Sequence, residues 1–133
     1  MPSPDLTDLA AALDTDAPVA ALDAMWDVFD VAEQAADSIA FREGYDEVMA
    51  AAASGEAAAG KSLMPLPDAG QSYVLAEEPE RTLPVCAALL EKAAGLLDHV
   101  ATGAIDEVRT SLRTAAGHAR GAARNLRAAP EPQ

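Results

Sequence analysis

Cysteine occurs once in this chain of 133 residues, aromatic residues make up 4% of it, and 9 lysines and arginines face 22 aspartates and glutamates. Each scarcity removes a class of protein. Cys86 cannot close an internal disulfide, and its apolar neighbours mark an inert core thiol in a reducing compartment. With only 2 histidines there is no Cys/His set for a structural metal, and no Glu-x-x-His pair for a carboxylate-bridged one. No metal or cofactor is expected. A formal charge of −13 repels nucleic acid and anionic membranes at long range, so neither is an expected partner. No stretch approaches the ~18 apolar residues of a membrane span. Met1-Pro2-Ser3-Pro4-Asp5 lacks the basic and apolar regions of a secretion signal, which makes a cytoplasmic location the expectation. Valine, isoleucine and threonine are scattered, without the alternation that a sheet requires.

Helix formers are abundant. Alanine supplies a quarter of the chain, a composition that favours an all-α fold with thin side chains between closely packed helices. Its excess of arginine over lysine, with Ala, Gly, Pro and Asp, also suits a GC-rich bacterial genome. The length fits a single helical domain over 1–133 that can bury an unassisted core.

Local signals place the helices. Ser3-Pro4-Asp5 reads as a cap, a first-turn proline and a first-turn acid, followed by Leu6, Leu9 and Leu13, giving a short helix over about 4–14. Leu22, Met25, Phe29, Ala32, Ala36 and Ile39 recur as the apolar face of a second helix over about 17–53, with a split near Gly44 because glycine weakens a helix there. From 54 to 81, Gly55, Gly60, Pro65, Pro67, Gly70 and Pro79 interrupt the period and predict one long crossover loop. Pro84 suits the first turn of a third helix over about 83–101, and a fourth over about 104–128 buries Ile105, Val108, Leu112, Ala116, Ala119, Ala123 and Leu126. Residues 129–133 are expected to fray as a tail. The expectation is a four-helix-bundle-like fold. Because the first helix is too short for a full member, a homodimer that completes the bundle is one possible assembly.

Charge is polarised along this framework. Thirteen acids and one base fall in residues 1–60, against three acids and five bases in 101–133. Arg109, Arg113, Arg120, Arg124 and Arg127 line up in a stripe about 60° wide on the last helix. Asp16, Asp23, Asp27, Asp30 and Asp37 form a corresponding stripe on the second helix, which reads as a solvated face. Trp26 stands at its edge, a position suited to a core rim or an interface.

Two motifs suggest chemistry. Gly55-Glu-Ala-Ala-Ala-Gly60-Lys61-Ser62 has the spacing of a phosphate-binding P-loop, but such a loop follows a buried strand, and this chain has no sheet to supply one. Arg113-Thr-Ala-Ala-Gly-His118 resembles the short arginine-histidine motif of HEPN-type ribonucleases, small helical domains. That resemblance covers six residues and implies Arg113 as the phosphate-holding cation and His118 as the acid or base at an RNA 2′-hydroxyl.

The expected function is that of a non-enzymatic regulatory or adaptor protein acting through charged helix faces on a protein partner or on its own copy. The partner-binding residues would be Arg109, Arg113, Arg120, Arg124, Arg127, Trp26, Asp23, Asp27 and Asp30. One alternative is a small HEPN-like ribonuclease or toxin-type domain using Arg113 and His118. The other is an acidic inhibitor that mimics DNA.

Overall fold

Aspartate rather than serine starts the first helix. Asp5 accepts from the backbone N–H groups of Thr7 and Asp8, and Asp8 accepts from the Asp5 N–H in return, so α1 spans Leu6–Leu13. The computed structural model describes residues 5–14, 21–66, 73, 75 and 78–131; Ser3, Pro4 and Asp16 lie outside them.

The apolar repeat from Leu22 produces α2, Leu22–Ile39. The expected split follows: Gly44 adopts a φ of 91°, a left-handed conformation costly for other residues, and Asp46 caps α3 through the N–H groups of Val48 and Met49. Helix α3 then runs over Glu47–Ser62, which corrects the expected loop at its near end. Ala50, Ala53, Ala57 and Gly60 are buried, so the glycine-containing stretch stays helical because it packs. At the far end of the crossover, α4 begins at Pro79 and reaches Thr102, so Pro84 lies inside the helix rather than in its first turn. Helix α5 spans Asp106–Ala128 without interruption, and the expected fraying does not hold for 129–131: Ala129 is buried and its carbonyl, with the Glu131 N–H, is hydrogen-bonded to the turn between α2 and α3.

Four long helices form a ring in which each neighbouring pair is antiparallel. Phe29 meets Gly60 while Asp37 meets Ser54, setting α2 against α3. Glu56 meets His118 while Tyr45 pairs with Pro130, setting α3 against α5. Arg120 meets Asp98 while Arg127 meets Glu91, setting α5 against α4, and α4 closes onto α2. Helices α3 and α4 are diagonal and do not touch, so the crossover from Leu63 to Glu78 carries the chain from one end of the bundle to the other. Short α1 packs on α2 and α4, with Tyr73 and Leu75 of the crossover also against the core. The described residues contain five packed helices and no strand. Splitting the second helix provides the fourth long member within one chain, which removes the reason for completing the bundle with a second copy.

Phe29, Leu9, Leu13, Met25, Ile39, Leu90, Leu97 and Leu126 are among the largest fully buried side chains, and buried alanines line both α4 and α5. Ile105 and Val108 are exposed rather than buried. On the register set by Tyr45 with Pro130 and Glu56 with His118, α3 ends opposite the second turn of α5, leaving the first turn without that neighbour.

Candidate functional site

Unbroken helical geometry keeps the five arginines in one stripe, but its two edges have different surroundings. Arg109, Arg120 and Arg127 occupy the edge nearer α4, within about 20° of one another. Arg120 pairs with Asp98, and Arg127 donates to Glu91 at 3.0 Å. Arg109 turns to the end of α4, donating to the carbonyls of Ala101 at 3.3 Å and Ala104 at 2.9 Å, where a cation offsets the negative end of the helix dipole. Arg113 and Arg124 lie on the outer edge, exposed and without an ion pair among the described residues.

The aspartate stripe is a solvated face only in part: Asp23 and Asp37 are exposed, Asp27 and Asp30 are not, and Asp16 lies outside the described residues. Asp30 lies 3.2 Å from Lys61 of α3, which also donates to Glu33, and Asp37 accepts from Ser54 at 2.7 Å. Hydrogen bonding to Glu33 holds the Lys61 ammonium above its ordinary value, with Asp30 in support and burial opposing. Its Nζ sits 5.4 Å from the centre of the half-buried Trp26 ring, so that tryptophan is already engaged by a neighbouring cation. Asp27 is only 6% exposed, its Oδ1 without a hydrogen-bond partner among the described residues. Burial pushes its carboxyl up to about 6, reinforced by Asp30 and Asp23. Of the stripe, Asp23 and Asp37 are exposed and outside any ion pair among the described residues, Asp37 being held only by the Ser54 hydroxyl.

His118 Nδ1 lies 2.8 Å from Glu56 Oε2, joining α5 to α3. Helix α5 passes straight through Gly117, so Arg113 and His118 project about 140° apart. Within the P-loop spacing, Gly55 through Ser62 belong to α3, and Lys61 is spent on Asp30 and Glu33. Burial pushes the Cys86 thiol up to about 12, leaving it protonated.

One concave feature had no counterpart in the sequence reading. Tyr45, Pro79, Leu83, Pro84, Leu126 and Pro130 enclose a cleft of about 420 Å³ at the end of the bundle, with Glu80 and Arg127 also lining it. Its single detectable signal was Glu78-Pro79-Glu80, a proline and an acid suited to a helix start. No protein-family model matches the chain, and no curated protein or solved structure matches it significantly.

Proposed function

We propose that this chain is a non-enzymatic regulatory or adaptor protein that captures a basic protein partner on its acidic helical surface. The inward pairing of Arg109, Arg120 and Arg127 with α4 and its carboxyl end carries this reading. Those cations were the candidates for docking an acidic partner, and only Arg113 and Arg124 of the stripe remain unpaired among the described residues. Asp23, Glu43, Glu47, Glu80, Glu107 and Glu131 are exposed on a chain of formal charge −13. Such a field attracts a basic partner and accelerates encounter. The same geometry favours this reading over a ribonuclease, because Arg113 and His118 do not converge on one phosphate.

Co-purification of the tagged chain at stepped ionic strength tests the proposal, with captured proteins identified by mass spectrometry. Basic proteins should be retained at low salt and released as salt rises. Their capture should survive Arg113→Glu with Arg124→Glu and weaken in Asp23→Asn with Glu47→Gln. Acidic partners lost on reversing the two arginines would overturn it.

A further inference from the structure

We infer that the cleft at the end of the bundle anchors a peptide segment of that basic partner, receiving an aliphatic or prolyl side chain flanked by lysine or arginine. This inference rests on the proposed function for the sign of the partner. The site itself is drawn from the cleft.

Three distant parts of the chain build it. The amino end of α4 brings Pro79, Leu83 and Pro84, the end of α5 brings Leu126, and the turn between α2 and α3 brings Tyr45. Two backbone hydrogen bonds clip the segment after α5 onto that turn: the Asp46 N–H donates to the Ala129 carbonyl at 2.7 Å, and the Glu131 N–H donates to the Gly44 carbonyl at 2.9 Å. This clip sets Pro130 in the wall. The three prolines have fixed φ and no N–H to satisfy, so the wall is stiff and apolar before anything binds. A preformed wall reduces the ordering cost that usually offsets peptide affinity. At about 420 Å³ the space suits one or two side chains and is too small for a whole helix.

The polar groups at this cleft ask for donors and positive charge. Pro84 has no N–H to give to the carbonyl of Glu80 one turn earlier, so that acceptor lacks its ordinary helical partner. The Glu80 carboxylate is exposed and has no ion pair among the described residues. Arg127 is already matched by Glu91. Burial pushes the Tyr45 hydroxyl above its ordinary value, Glu80 adds to this and Arg42 opposes it, so the phenol remains neutral. In sequence, Glu43 and Glu47 flank the cleft residue Tyr45 and Glu131 follows Pro130, while Arg127 and Arg81 are already paired with Glu91 and Glu78 and leave Arg42 as the nearby unpaired cation among the described residues. An apolar anchor fits the prolyl wall and a basic neighbour pairs with the exposed Glu80 carboxylate, whereas an acidic peptide would face that carboxylate directly.

The test is a peptide-display selection on the immobilised full chain, repeated on Glu80→Lys, with chemical-shift mapping of the enriched peptides. The expected peptides carry an aliphatic or prolyl residue beside lysine or arginine, perturb Tyr45, Leu83 and Leu126, and bind at least tenfold more weakly to Glu80→Lys. Should Glu80→Lys not fold, Glu80→Gln at fixed salt takes its place, with a smaller loss of the same sign. Basic peptides that need no apolar residue and are indifferent to Glu80 would overturn the cleft and leave the basic partner standing. Enrichment of acidic or neutral peptides, or of none, would overturn both.

Discussion

The ring of Phe29 occupies the space that a β-carbon on Gly60 would need: built there, that carbon lies 2.3 Å from Cε1 of the ring. Phe29 is fully buried, so the ring has nowhere to retreat. Gly60→Ala should therefore destabilise the protein by about 1–2 kcal/mol in urea unfolding, overpacking outweighing the roughly 1 kcal/mol gained in helix propensity. Gly55, in the same helix, has nothing within 4 Å of the equivalent position, and Gly55→Ala should stabilise by about 0.5–1 kcal/mol. Equal effects of one sign at the two glycines would contradict this packing.

Asp27 should make stability depend on pH. Its folded-state carboxyl is raised from 3.8 to about 6, so the folded protein holds the proton more tightly than the unfolded chain. The resulting stabilisation is fully present below pH 3.8 and is lost as pH rises through about 6. The full shift would correspond to about 3 kcal/mol, and screening by solvent keeps the expected difference below that. Unfolding free energies of wild type and Asp27→Asn, measured from pH 4 to 7.5, should diverge in the direction that favours the variant as pH rises. Parallel profiles would show that Asp27 is not a buried acid.

The two edges of the arginine stripe should separate in stability measurements. Arg120→Ala and Arg127→Ala each lose an exposed interhelical pair, with an expected cost of up to about 1 kcal/mol that shrinks in high salt. Arg113→Ala and Arg124→Ala should stay within about 0.5 kcal/mol of wild type. A reversed order would mean that the inner edge is not the structural one.

Cys86 should resist chemistry while the fold lasts. At 1% exposure, with burial pushing its thiol up to about 12, it offers a reagent neither access nor thiolate. A thiol-reactive chromophore at pH 8 should label it only at the rate of unfolding. Rapid stoichiometric labelling of the native protein would place the thiol at the surface.

Local chemistry alone determined much of the framework. Periodic leucines and alanines specified which faces of α2, α4 and α5 turn inward, because a helix repeats every 3.6 residues whatever it packs against. Gly44 marked the break for an equally local reason, its freedom to take a positive φ. The five arginines share a stripe on the same grounds.

Tertiary register decided the rest. Gly60 reads as a helix breaker in isolation and becomes a contact surface only because Phe29 arrives from α2. Which arginines are spent depends on Asp98 and Glu91 lying opposite Arg120 and Arg127 on α4, a pairing that no spacing within α5 encodes. Asp27 and Asp30 likewise look solvated until α3 supplies Lys61 and the surrounding fold buries Asp27. Least legible was the cleft, since Tyr45, Leu83 and Pro130 meet only after the chain has crossed the bundle and the segment following α5 has hydrogen-bonded back to the α2–α3 turn. Helical periodicity is carried within a few neighbouring residues, whereas a cavity or a cross-helix pair exists only once separate helices have fixed their depth and register against one another.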